Sequence, residues 1–447
     1  ATLFKMELDE DSLLLLILAF TWCEFSWETY LSYRQIRTYK TMNNIPEVLK
    51  DHVSKESFEK SRLYGLDKSK YKMVKEIYSL LILTIILYKK WMFVVWCKCE
   101  EIGGYFGIMP HNEIAISCIF ITVTTLFNSV TLMPFTIYST FVLEEKHGFN
   151  KQTVNFFIKD QLKSLLLNLV ITLPIVSVAL YIIMLGGNMF VVWLWLFTTV
   201  ATLLLLTIYP SVIAPIFDKF VPLPDGTLRQ GIEELAARLK FPLSQVYIVE
   251  GSKRSAHSNA YFTGIFGEKR IVLFDTLLEK YNEEKKVMTG CNEKEVLGVL
   301  GHELGHWKCN HVNKSIILTE LNLLLVFTAF GLLFKYSLLY KTIGFPAGQE
   351  PVIIGLIVVL QVILAPYNTI LSFFATAMHR RFEYEADNFA VSLSFTDELI
   401  TSLIKLGKDN LDFPYYDKLY SMWYHTHPTL LDRIEHLKTQ INDKKKN

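Results

Sequence analysis

His302-Glu303-Leu304-Gly305-His306 leads, through about 15 Å of helix, into the apolar run Ile316–Phe334. That succession decides the fold, because it sets a metal-binding helix at the head of a membrane span. On a helix, residues four apart share a face, so the two imidazoles can hold one zinc ion at adjacent tetrahedral corners. Glu303 lies about 100° around from His302, too far to share the ion but placed to take a proton from a water molecule beside it. The plainer reading is a surface helix with two ordinary histidines, and the surroundings argue against it.

The 447-residue chain is 51% hydrophobic, 14% aromatic and only 20% charged, too apolar for an ordinary soluble enzyme of this length. A net charge of +1 offers no basic field for nucleic acid. The six cysteines (Cys23, Cys97, Cys99, Cys118, Cys291 and Cys309) form neither a disulfide framework nor a paired Cys-x-x-Cys zinc motif.

Seven apolar blocks reach the length of about 20 residues that a bilayer requires. They are Ser12–Leu31, Tyr78–Trp96, Ile114–Leu143, Leu162–Leu185, Met189–Phe217, Ile316–Phe334 and Val352–Ala377, the second interrupted by Lys89 and Lys90. Eleven Lys/Arg lie between Arg34 and Lys75, whereas Lys5, Lys98, Lys335 and Lys341 stand alone on the opposite side. The positive-inside rule then puts the amino terminus in the lumen and the carboxyl terminus in the cytosol. The expected class is mainly α, a polytopic membrane protein with seven spans and a small cytosolic α+β zinc-protease domain. Residues 1–217 carry spans one to five, 218–314 the α+β insert with the metal helix, 315–377 spans six and seven, and 378–447 a cytosolic region. Within the insert, Val246–Val249, Ser258–Thr263 and Ile271–Leu273 read as strands, Gly231–Leu239 as a helix, and Asn292 with Glu295 as a capping box.

A third ligand must come from elsewhere. On a straight helix His311 points about 180° from His302, and Cys309 lies about 10 Å along the axis from it. The segment Arg381-Phe382-Glu383-Tyr384-Glu385-Ala386-Asp387 sets Glu383 and Asp387 on one side of a helix, with Glu385 roughly 200° away. Glu383 would bind the ion, and Asp387 would accept the free N–H of a liganding imidazole. With the metal helix running straight into span six, and span seven returning, Glu383 arrives beside the histidines at the cytosolic membrane face. A solvated acidic helix is the competing reading.

Further motifs are Leu143-Glu144-Glu145-Lys146-His147-Gly148-Phe149-Asn150, the stretch Gly251–Phe262, Arg270–Leu277, Arg380–Asp387 and His427-Pro428-Thr429-Leu430-Leu431-Asp432-Arg433. With these, the sequence resembles the type 1 CAAX prenyl proteases, membrane zinc endopeptidases acting on farnesylated or geranylgeranylated proteins. Glu385 departs from the pattern, standing where relatives often have Gln. The resemblance implies seven helices forming a barrel around a water-filled chamber. It implies removal of the last three residues after a prenylated cysteine, with a second, amino-terminal cleavage in some fungal precursors. It also implies that His427, with Arg433, contacts substrate or steadies the developing oxyanion, while Glu303 serves as the catalytic base. His257, Ser258, Asn259, Ala260 and Tyr261 match an edge strand that holds the substrate backbone by strand addition.

One Zn2+ per chain is expected, with prenylated CAAX proteins or peptides and membrane lipid as partners, no nucleic acid, and a monomer. Lys444-Lys445-Lys446-Asn447 is compatible with retrieval to the endoplasmic reticulum membrane, and inner nuclear membrane residence follows from continuity. Two other classes stay open: a membrane-protein quality-control zinc protease, and a transporter or scaffold with a structural zinc. Glu24, Glu28 and Glu320 within apolar blocks fit a chamber or a transport pathway equally.

Overall fold

The computed structural model describes residues 9–264, 267–279, 281 and 289–446. α1 (Glu10–Thr41) starts at Asp9, whose carboxylate accepts the Ser12 N–H. α2 (Lys55–Tyr88) is capped by Ser54 and stops at the lysine pair. There Lys90 is left-handed at φ 54°, and α3 (Trp91–Tyr105) departs at 73° from α2. The second apolar block is thus a bent pair rather than one straight span. The charged pair falls at the corner, so neither ammonium has to be carried along an unbroken apolar rod. α4 (Glu113–Tyr138) is prolonged by a π-helical turn, Ser139–Glu144, and is followed by α5 (Val154–Leu185) and α6 (Phe190–Ile208).

The polar insert follows. Among the described residues it forms a four-stranded sheet of β1 (Phe220–Pro222), β2 (Leu243–Val249), β3 (Ala260–Thr263) and β4 (Lys269–Phe274), in the order β1-β2-β4-β3. β2 and β4 run parallel, the outer pairs antiparallel, and β3 is an edge. β2 and β4 contain the two expected β-branched runs. The third strand starts only at Ala260, so His257–Asn259 form its lead-in. β1 escaped sequence reading because three residues ending in proline carry no alternation. α7 (Thr227–Leu239) and α8 (Glu293–Lys308) cover one face, burying Ile232, Leu235, Val246, Ile271, Leu273, Val296 and Leu300 in a common core.

α9 (His311–Leu333) is the sixth span. The seventh is α10 (Val352–Ile357) with a π-helical turn, bent by 57° at Leu364 before α11 (Ala365–Ser392). Pro366, which lacks an N–H, sits in the first turn of α11 and suits a helix that restarts there. Among the described residues, five helices alone, and up to seven spans with each bent pair as one, are long and apolar enough to cross a bilayer. Consecutive helices pack from α1 to α6, α9 lies on α6, and Thr369 of α11 bonds Glu24 of α1, closing a ring. α12 (Thr396–Asp409), α13 (Lys418–Tyr424) and α14 (Leu430–Lys446) complete the chain.

Candidate active site

α8 begins with the expected cap: Asn292 Oδ1 accepts the Glu295 N–H at 3.0 Å, and Glu295 returns a carboxylate oxygen to the Asn292 N–H at 2.8 Å. Lys405 of α12 pairs with the same carboxylate at 2.7 Å, fixing the helix against its neighbour. α8 then packs along α11 and brings three donor atoms together. His302 Nε2 and His306 Nε2 are 3.3 Å apart, and Glu383 oxygens lie 3.4 Å from the first and 3.2 Å from the second. Tetrahedral bonds of about 2.0–2.1 Å hold their donor atoms roughly 3.3 Å apart, so these spacings, with Glu383 turning Oε2 to His302 and Oε1 to His306, suit three side chains around one zinc ion. Glu383 Oε2 is also buried without a well-formed hydrogen bond, although His427 Nδ1 stands 2.8 Å away. Two imidazole nitrogens and a carboxylate oxygen converging this way call for a cation.

Behind the triangle, His302 Nδ1 is 2.8 Å from Asp387 Oδ1. Asp387 is fully buried and receives two bonds from Arg433, Nε to Oδ2 at 3.0 Å and Nη2 to Oδ1 at 2.6 Å. Arg433 is itself buried, with its guanidinium committed to Asp387 and 3.2 Å from His302 Nδ1. It arrives there because Pro428 and Thr429 start α14: Thr429 Oγ1 accepts the Asp432 N–H, and Arg433 lies one turn in.

Glu303 faces the open side. Burial pushes its carboxyl above the usual range, while His302 and His306 act in the opposite sense. His427 is 67% exposed on that side. Its loop is tied to α11 by Arg380, which donates to the backbone carbonyls of Met422 at 2.9 Å and His425 at 2.8 Å. A cleft of about 400 Å³ runs past Ser258, Asn259, Ala260, His302, Glu303, Glu383, His427 and Arg433. A second, of about 540 Å³, runs from Glu303, His306 and Glu383 past Tyr261 to Thr202 and Leu206 of α6.

His257 stands apart from both clefts. Its ring stacks on Phe149 at 4.0 Å, and its nitrogens face Asn410 Oδ1 at 3.2 Å and Glu144 Oε2 at 3.5 Å. Tyr64 of α2 donates to Glu144 at 2.9 Å. The Leu143–Asn150 motif thereby clamps the lead-in to β3. Arg254 adds a second anchor, gripping Asp160 of α5 with its two terminal guanidinium nitrogens at 2.6 and 3.1 Å. Asp275 holds the same turn by accepting the Ser252 N–H at 2.9 Å.

One expectation fails. The metal helix does not run straight into span six; it ends at Lys308, and Asn310 takes a left-handed turn at φ 57° before α9 starts. Asparagine tolerates that conformation, and the turn swings His311 back so that its Nδ1 lies 2.9 Å from His306 Nδ1. Straight-helix geometry had turned it away. Glu385, set aside for pointing away from Glu383, meets His311 Nε2 at 3.0 Å.

Residues 35–219 match the family described as CAAX prenyl protease N-terminal, five membrane helices, and residues 222–441 match peptidase family M48. The CAAX prenyl protease 1 homolog of Homo sapiens is 47% identical over 95% of this chain and 94% of its own length. The CAAX prenyl protease 1 of Saccharomyces cerevisiae is 35% identical over 97% and 96%. The crystal structure of S. mikatae Ste24p superposes with a TM-score of 0.86, at 35% identity, over 95% of this chain and 98% of that one.

Proposed function

Because the chain belongs to the CAAX prenyl protease 1 family of membrane-embedded M48 metallopeptidases, we propose that it cuts prenylated proteins, releasing the three residues beyond a farnesylated or geranylgeranylated cysteine. The donor triangle of His302, His306 and Glu383, with Glu303 beside it and β3 across the cleft, carries this reading. Those three side chains would hold one zinc ion per chain, which when bound would supply Lewis acidity toward the scissile carbonyl and the attacking water. Glu303 takes the proton from that water and delivers it to the leaving amine nitrogen, a task suited to a carboxyl raised by burial. His427 faces the developing oxyanion from the open side. Asp387 accepts the His302 Nδ1–H, and Arg433 holds Asp387 in place.

The substrate backbone adds to the free edge of β3, along Ser258–Tyr261, with His257 anchoring the strand from behind. The site opens to the cytosol, where the lysine-rich segments lie, from an endoplasmic reticulum membrane continuous with the inner nuclear membrane. Residues 218–314 serve as the cytosolic insert, between spans one to five and spans six and seven.

Zinc analysis combined with cleavage of matched peptides, prenylated and unprenylated, tests the reading. The expected result is one zinc per chain and turnover that depends on the lipid. Equal turnover of both peptides would replace it with a general quality-control protease. Bound zinc without hydrolysis would leave a transporter or scaffold.

A further inference from the structure

We propose that His311 and Glu385 form a positioning relay that fixes the proton on His306 and so tightens metal binding; this rests on the metal site proposed above. His306 Nδ1 stands 2.9 Å from His311 Nδ1, and His311 Nε2 stands 3.0 Å from Glu385 Oε2. His311 is only 3% exposed, and its ring stacks on Phe382 with centroids 4.2 Å apart and planes 7° from parallel. The relay exists because the chain turns at Asn310; a continuous helix would carry His311 to the far side.

The proton positions follow from valence. An imidazole that lends its Nε2 lone pair to an ion carries its proton on Nδ1. His306 Nδ1–H therefore donates, and His311 Nδ1 has to accept. Neutral His311 then bears its own proton on Nε2, which donates to the Glu385 carboxylate. Each proton has one place, and the negative charge on Glu385 reaches His306 through a single ring. Asp387 serves His302 directly, at 2.8 Å. Both liganding histidines are thus backed by a carboxylate, one in contact and one across an intervening imidazole.

The same residues allow a competing arrangement. Cys309, His311 and Glu385 bring sulfur, nitrogen and oxygen donors within 4.8 Å of one another, the spacing of a second ion pocket. An ion there would take the His311 Nε2 lone pair, move the ring proton to Nδ1 and set N–H against N–H at His306. The two arrangements exclude each other while His306 holds metal. Arg381 and Lys314, 3.2 and 3.8 Å from Glu385, favour the relay over an added cation.

Zinc affinity of the full-length protein, measured by competition with a chromophoric chelator, tests the relay, with the visible spectrum of the Co2+-loaded protein as a second readout. His311→Phe keeps a ring against Phe382 but removes both nitrogens, and should weaken zinc by about 10–100-fold. Glu385→Leu should weaken it by about 10-fold and shift the Co2+ spectrum. Glu385→Gln, whose amide oxygen still accepts the Nε2–H, should stay within about threefold of the parent. The Glu385 side chain is 33% exposed, so the two Glu385 variants without metal should unfold at the parental temperature and carry the test if His311→Phe proves unstable. His311→Phe and Glu385→Leu proteins that keep parental zinc affinity would overturn the relay. So would a parent chain that takes two zinc ions and falls to one in Cys309→Ser. A parent that takes no zinc would defeat the metal site itself, a separate result.

Discussion

A Cβ built on Gly305 would stand 2.9 Å from the Ala386 Cα and 3.0 Å from the Ala386 carbonyl oxygen. The helices carrying the metal donors therefore meet backbone to backbone, at a contact that any side chain would pry open. Gly305→Ala should lower stability by about 1–3 kcal/mol, the usual range for overpacking, and weaken zinc binding in parallel. Thermal unfolding and chelator competition measure the two effects. Unaltered zinc affinity in a folded variant would show that the donor triangle does not depend on this approach.

Glu303→Gln keeps the size of the side chain and removes the base. Cleavage of a prenylated peptide should fall by about 10²–10⁴-fold, while zinc content stays at that of the parent. Retained hydrolysis would mean that another group accepts the proton.

Glu144→Gln and Phe149→Ala loosen the clamp on His257 without touching the metal donors. Both should raise KM by about 10-fold with a smaller change in kcat, because the edge strand would no longer be held for pairing. Steady-state kinetics separates the two parameters. A fall in kcat alone would place the clamp in the chemical step instead.

His425 supplies a test by pH. Burial, aided by the neighbouring charges of Arg380 and His427, pushes its pKa down to about 4, whereas an unfolded histidine titrates near 6.5. The folded value is the lower one, so the stability it contributes is complete above about pH 6.5 and is lost as the pH falls toward 4. The loss should amount to roughly 2 kcal/mol after allowance for partial exposure. His425→Phe should remove that part of the acid sensitivity, seen as a smaller drop in unfolding temperature between about pH 7 and pH 5. An identical drop in both proteins would show that His425 is not the titrating group.

Much of the site was legible because its chemistry is local. The HExxH spacing, the four-residue step from Glu383 to Asp387 and the Asn292/Glu295 box all depend on helical periodicity, which the chain carries on its face. What escaped depends on where helices stop. Asn310 carried no signal, because a single left-handed residue is no different in sequence from any surface asparagine. Reading through it turned His311 away and left Glu385 with no partner in view. The lysine pair at 89–90 did announce trouble in the second span, though a bend of 73° is a tertiary choice. Arg380 and Arg254 were visible only as members of motifs. Their use, one holding carbonyls at the end of α13 and the other gripping Asp160, required the neighbouring chain.

The order of parts along the polypeptide bears on biosynthesis. Both imidazoles leave the ribosome ahead of the last two membrane passages, Glu383 after them, and Arg433 later still. A chain made only that far therefore lacks Glu383 as a donor and leaves His302 without its Asp387 partner. With the assignments proposed above, the full donor set can assemble only after the last membrane passage has been made.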